Sequence, residues 1–321
     1  MKIFAYPHGM PSQIREPAEL IKLLNEFKIK NDELGFDGIL MFSSFNDAYD
    51  TWDLGHLVAQ GSKQIPLVAL MPNWEHPVIT ARKIVSFQKL YNRPLAINWL
   101  TGLALLDYQK LGLDLSKAER YEKLSEYVSV VKALINNKSN KPISHSGKYF
   151  TLIGHKLTRL PEHQVVHYIS GTSTECDEFL DAHPDFLQIS QAMQLGYQYG
   201  PRVRGVGLGL FARPTEKEAL EIFHKTFLID KSSQAYATLA KANTDSNWKK
   251  ELFRAAENID GVNGFFASAL LNYSELGFLV QSYDGAAKYF RELKQRKIDT
   301  FLLSLISAEE LPHVRKVFDL V

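Results

Sequence analysis

Short apolar runs that do not alternate with polar residues recur along this chain. Each is followed by an amphipathic stretch, and this rhythm limits the possible folds more than any other feature. "KIFAY" precedes "REPAELIKLLNEFKIKNDELGF", "DGILMFSS" precedes "DLGHLVAQGSKQ", and "IPLVALMP" precedes "HPVITARKIVSFQKLYN"; "PLAINW" then opens a further unit. A strand with one face in water alternates, whereas a strand covered on both faces stays apolar throughout. The pattern therefore predicts a parallel sheet flanked by helices. "HQVVHYISGTS", "FLQIS", "VRGVGLGLFA" and "DTFLLSLI" extend the series. About eight core strands favour a closed (β/α)8 TIM barrel over an open sheet.

Three stretches depart from the rhythm. "LSKAERYEKLSEYVSVVKALINN" reads as a long periodic helix, and "KPISHSGKYFTLIG" as a small extended excursion. Residues 232–285 are irregular, with helical pieces broken by Asn, Asp and Gly, and read as a mobile, lid-like insertion before the last strand. Thr215 is expected to cap the helix "TEKEALEIFHKTF" without a full capping box, because Glu216 follows it directly. With no internal repeat and no linker, residues 1–321 are expected to form a single barrel domain.

Composition closes off several function classes. The chain carries 37 basic and 36 acidic side chains, a formal charge of +1, so it has no global field for nucleic acid. Its one cysteine, Cys176, can form neither an intramolecular disulfide nor a cysteine-only metal site. The N-terminus lacks the apolar core of a signal peptide, and no apolar run reaches the ~18 residues of a membrane span. A cytoplasmic protein without membrane contact is the expectation. There is no H-E-x-x-H, P-loop or G-x-S-x-G, and no metal is expected. "GVGLG" lies inside an apolar strand run and is not a dinucleotide turn.

In a barrel, chemistry gathers at the carboxyl ends of the strands. Those ends carry hydroxyls, amides and aromatics, but few acids. His8 could be a general base or a hydrogen-bonded wall residue, and Asp47 an acid/base group or part of a polar turn. Trp74 and Trp99 could stack on a planar ring or belong to the core. "ISGTSTE" could cradle a phosphate through backbone N–H groups and the hydroxyls of Thr172 and Ser173; an ordinary helix cap explains the same residues. Asn98 is the anomaly. It interrupts the apolar run "LAINW", and a buried amide requires hydrogen-bond partners.

Taken in order, "GFDGILMFSS", "PLVALMPNWEHPVITARKIVSFQKLYNRPLAINWLTG", "AERYEKLSEYVSVVKAL", "GKYFTL", "YISGTSTECDEFLDAHPD" and "LVQSYDGAAKYFRELKQRKIDTFLLS" resemble the bacterial luciferase-like flavin monooxygenases, nearest their alkanesulfonate monooxygenase branch. The resemblance spans nearly the whole chain. It implies reduced FMN supplied by a separate flavin reductase, or a deazaflavin. It also implies oxygen chemistry through a C4a-peroxyflavin on a small organic substrate, and a homodimer or homotetramer. By position, Asn98 and Thr101 would lie against the flavin ring and Tyr121 on its phosphate or ribityl side. Gly171, Thr172 and Ser173 would hold the phosphate, and His8 matches the family's active-site histidine.

The departures bear on the substrate. Gly207 and Gly209 stand where the sulfonate branch carries an Arg and a His, and Asp47 or a near neighbour stands where it carries a Cys. Two glycines remove charge and are expected to open space. That favours a carbonyl or acyl compound over a small alkanesulfonate, which needs a convergent positive site. A deazaflavin-dependent oxidoreductase, or a non-catalytic flavin- or partner-binding barrel, are the competing readings.

Overall fold

The computed structural model describes residues 1–7, 14, 16–43, 47–72, 75–102, 105–139, 141–226, 244, 246–259, 261, 263–266 and 276–321. The first half runs β1 (Lys2–Pro7), α1 (Pro17–Glu33), β2 (Gly38–Met41), α2 (Thr51–Ala59), β3 (Ile65–Leu70), α3 (Pro77–Tyr91), β4 (Leu95–Trp99), α4 (Leu105–Lys110), α5 (Lys117–Ile135), β5 (Ile143–Ser146) and β6 (Thr151–His155). The second runs β7 (Val165–Ser170), α6 (Thr174–Ala182), β8 (Leu187–Gln191), β9 (Val203–Arg213), α7 (Glu216–Thr226), α8 (Asn247–Ile259), β10 (Phe265–Phe266), β11 (Phe278–Ser282), α9 (Tyr283–Gln295), β12 (Thr300–Ile306) and α10 (Leu311–Asp319).

Eight of these strands close a parallel ring in the order β1-β2-β3-β4-β7-β8-β9-β12. This is the (β/α)8 barrel expected from the apolar runs. Phe4, Leu67, Ala96, Tyr168, Ile189 and Leu302, from six different strands, form one buried cluster, which places them on the barrel axis. The rings of Phe4 and Tyr168 meet edge to face at 6.2 Å. Neighbours in sequence point the other way: Ile97, Trp99 and Ile169 pack outward under α3, α5 and α6. The alternation is geometric, since both faces are apolar.

β9 holds the closure. One edge pairs with β12, Thr300 opposite Gly205 through Ser304 opposite Gly209. Along the other edge β8 pairs with residues 203–207 and β11 with 209–213. β11 is a strand inside the stretch expected to be irregular. With α8 and β10 it is one of the elements found in the described part of 232–285, α8 being one of the expected helical pieces; residues 232–243, 245, 260, 262 and 267–275 lie outside the described residues. β10 runs antiparallel to β11 and extends the sheet beyond the barrel.

The excursion after α5 is the β5–β6 hairpin, clamped by one carboxylate. Glu126 of α5 accepts from the backbone N–H groups of Tyr149 at 3.0 Å and Phe150 at 2.8 Å, and pairs with His145 at 2.9 Å. α5 begins with a full capping box, Ser116 with Glu119. α7 has one too, contrary to the sequence reading. The Thr215 N–H donates to Glu218 at 3.0 Å, and the Glu218 N–H donates back to the Thr215 hydroxyl at 3.3 Å. The box needs an acid three residues on, and Glu218 rather than Glu216 occupies that position.

Inside the ring, Gly38 is a point of contact. A Cβ there would lie 2.1 Å from the Ile65 carbonyl oxygen and 2.8 Å from the Phe4 ring, whereas one at Gly200 meets nothing within 4 Å. Gly38→Ala is expected to cost about 1–3 kcal/mol by overpacking, and Gly200→Ala less than about 0.5 kcal/mol. Urea denaturation of both variants checks this.

Candidate active site

Asn98 sits near the carboxyl end of β4, on the same side of the strand as the axial Ala96, and is 5% exposed. Its Nδ2 donates to the Ser170 hydroxyl at 2.9 Å, and that hydroxyl lies 3.0 Å from its Oδ1. An amide offers two donors and an acceptor with two lone pairs, so one partner does not exhaust it. Trp99, one residue on, faces away. It is fully buried, and its indole N–H donates to His167 Nδ1 at 3.1 Å. Of the two readings left open for Trp99, the core is the one observed; Trp74 lies outside the described residues. His167 is stacked on Phe186, 5.0 Å away and nearly parallel, and burial pushes its imidazolium down to about 4.

Ser170 ends β7 and leads directly into "GTS". The first turn of α6 follows, and there a second set of groups meets. The Tyr121 hydroxyl, buried against the barrel from α5, has Cys176, Ser173 and Thr101 as neighbours. A Cβ on Gly171 would lie 2.5 Å from that hydroxyl, so only glycine lets the chain pass this close. The backbone of Gly171 is held on both sides: its N–H donates to Ile189 O at 3.2 Å, and its carbonyl accepts from Gln188 Nε2 at 2.8 Å. Ser173 is the N-cap of α6, yet its side chain does not cap the helix. Among the described residues its buried Oγ has no hydrogen-bond partner of proper geometry, although the Tyr121 hydroxyl and the Glu175 carboxylate are beside it. Burial, more than any other factor, holds the Tyr121 phenol protonated and pushes the Cys176 thiol up to about 12.

The structure thus brings Asn98, Thr101, Tyr121, Gly171, Thr172 and Ser173 to one sector of the rim. Asp47 lies on the other side of β3. It lines a 290 Å³ cleft with Ser43, Thr51, Trp52, Ala69, Leu70 and others. Ala69 is also the register neighbour of Asn98, so the cleft opens onto the same rim. The Ser43 and Thr51 hydroxyls lie 2.6 Å apart on its wall. His8 lies outside the described residues.

At Gly207 and Gly209 the expectation was half right. Among the described residues the nearest side chains at these positions are uncharged, but the space is not open. A Cβ on Gly207 would meet Leu276 at 3.1 Å, and one on Gly209 would meet the Phe278 ring at 2.0 Å. The chain returning from the insertion supplies apolar groups where the glycines leave room. Beside them, Gln191 closes β8, 1% exposed, with its Nε2 3.4 Å from Glu251 of α8.

The first half of the chain carries the mark of a known family. Residues 8–183 match the model of the luciferase-like monooxygenases. The chain belongs to this family. A relative from Niallia circulans, 4-(γ-L-glutamylamino)butanoyl-[BtrI acyl-carrier protein] monooxygenase BtrO, is 27% identical over 306 residues, covering 89% of this chain and 87% of its own. Among solved structures, the long-chain alkane monooxygenase LadA superposes with a TM-score of 0.73 at 16% identity, covering 99% of this chain and 91% of that one. An F420-dependent secondary alcohol dehydrogenase does so with a TM-score of 0.66 at 16% identity, covering 100% and 99%. This luciferase-like monooxygenase shares the barrel with both structures. Among the described residues no helix is long and apolar enough to cross a membrane, and no cluster of metal-ligating side chains occurs.

Ser170, Gln191 and Leu276 were not singled out as site residues from sequence. Ser170 and Gln191 share one signal, a polar residue in phase with the inward apolar positions of a core strand. Leu276 has none, because its place depends on a glycine about seventy residues earlier.

His167 yields a pH prediction. Its folded pKa of about 4 lies below the ordinary value of 6.5, so between those limits the unfolded chain binds more protons. Stability should therefore fall as pH drops through that window, by up to about 3 kcal/mol for this group. His167→Gln is expected to flatten that part of the curve relative to the parent, read from urea midpoints between pH 7 and about 4.

Proposed function

We propose that this luciferase-like monooxygenase uses reduced FMN, delivered by a separate reductase, to oxygenate an organic substrate bearing a carbonyl or acyl group. The observation that carries the reading is the convergence at Gly171. A strand-to-helix turn too tight for a Cβ, an uncapped buried Ser173 hydroxyl and the Tyr121 hydroxyl together form a cradle with spare donors at a helix N-terminus. Such a place suits a phosphate. Tyr121, Gly171, Thr172 and Ser173 would hold that end of the cofactor, and Thr101 with the remaining donor and acceptor of Asn98 would meet the ring edge. When bound, the flavin supplies the oxygen-activating chemistry.

The chain's own part is to bind, orient and exclude water. The 290 Å³ cleft beside Ala69 would take the substrate, with Asp47 and His8 as candidates for moving a proton at its reacting group. Leu276 and Phe278 present hydrocarbon near Gly207 and Gly209, so a sulfonate gains no charged partner from these two side chains. An acyl group fits this better, and the Niallia circulans relative is named for an acyl group on a carrier protein. An acyl thioester is therefore the first substrate class to offer.

Anaerobic titration of the purified protein with reduced FMN, followed by admission of air, tests the reading. Saturable binding and oxygen incorporation into an acyl thioester are expected, with Asn98→Leu weakening reduced-FMN binding about tenfold. Failure to bind reduced FMN while binding a reduced deazaflavin would replace monooxygenation with hydride transfer. Binding neither would overturn the flavin assignment.

A further inference from the structure

The cradle at Gly171 has a charge problem. The first turn of α6 carries Glu175 and Asp177, and a phosphate placed at this helix end would meet both carboxylates. The helix dipole and neutral hydroxyls must be joined by a cation if the dianion is to win. The structure places one against Glu175. Lys117 begins α5, one turn before Tyr121 and therefore on the same face of that helix. Its ammonium lies 3.7 Å from Glu175 Oε2, and Glu175 in turn interacts with the Ser173 hydroxyl. Burial opposes ionisation of Glu175, but Ser173, its own backbone N–H and Lys117 together hold its carboxyl below the usual range.

Lys117 has a second partner. Its ammonium donates to Asn247 Oδ1 at 3.3 Å, and Asn247 is the first residue of α8, the helix within the insertion. One side chain thus touches the edge of the cradle and the start of the segment that carries Glu251 to Gln191.

We propose that Lys117 is the residue that reads the cofactor's phosphate: on binding it exchanges Glu175 for phosphate and keeps its bond to Asn247, so that an occupied cradle fastens α8 to the barrel rim. This rests on the flavin reading of the cradle and adds the group that sets phosphate specificity. The exchange is electrostatically reasonable because Lys117 and Glu175 are both partly exposed, at 21% and 29%, and their contact is long. A pair of that kind is held weakly, whereas an ammonium on a phosphate makes a charge-assisted bond.

The test compares FMN with riboflavin, which differ only in the phosphate, on the full chain. Equilibrium binding is measured for the parent, Lys117→Met, Lys117→Arg and Glu175→Gln. Lys117→Met is expected to lose about tenfold in FMN affinity with riboflavin affinity unchanged, and Lys117→Arg to recover most of the loss. Glu175→Gln should tighten FMN by a few-fold, since it removes the competing carboxylate. Hydrogen exchange supplies a second readout: FMN should protect the amides of 247–259 in the parent and leave them unprotected in Lys117→Met. A preference for FMN that survives in Lys117→Met overturns the proposal while leaving the flavin assignment standing. Equal weakening of FMN and riboflavin in that variant also overturns it, because Lys117 would then be scaffold. A parent that binds neither flavin removes the flavin assignment and this proposal together.

Discussion

The barrel closes on a strand of alternating glycines. β9 has to accept β12 along one edge, and β8 followed by β11 along the other. A Cβ on Gly205 would lie 2.3 Å from Ile189 Cδ1 and 2.9 Å from the Thr300 carbonyl oxygen, so strands on both sides press into the space glycine leaves. At Gly207 and Gly209 the same vacancy receives Leu276 and Phe278. Ring closure and the apolar character of the nearby rim therefore have one cause. Side chains at these positions would push the neighbours outward and change what lines the mouth.

The distribution of function along the chain follows that division. The family match ends at residue 183, just after α6. The groups proposed to hold the cofactor, on β4, α5, β7 and the α6 turn, fall within it. The glycine strand, α8 and β11 fall beyond it. In the proposed reading, the matched half would position the cofactor and the part beyond it would shape access to the rim.

Much of the barrel was legible because its strands are buried on both faces and so stand out as unbroken apolar runs. Even "VRGVGLGLFA" kept its strand character, since Gly205, Gly207 and Gly209 alternate with the apolar Val206, Leu208 and Leu210. β11 was not legible. It is five residues at the end of an irregular stretch, and its place depends on Phe278 finding room over Gly209. The α7 capping box was missed by reading the acid at the wrong spacing. At the site, Tyr121 and Gly171 lie fifty residues apart, and no local pattern joins them; family resemblance did. The bond between Asn98 and Ser170 needed strand phase, which shows that both point inward. The clash that makes Gly171 obligatory needed the Tyr121 hydroxyl in place.

The burial of Cys176 has a consequence for the lifetime of the protein. If the cradle takes reduced flavin as proposed, the protein would be exposed to by-products of oxygen chemistry, hydrogen peroxide among them, and a thiolate is the side-chain form most readily oxidised. The sole sulfhydryl of this chain lies within reach of the Tyr121 hydroxyl, a few ångströms from the cradle proposed for the cofactor. Fully enclosed and held protonated with a pKa of about 12, it has neither the charge nor the solvent access that oxidation requires. Under that proposal, the packing that lets Gly171 pass under Tyr121 would also shield the protein from self-inactivation through this residue.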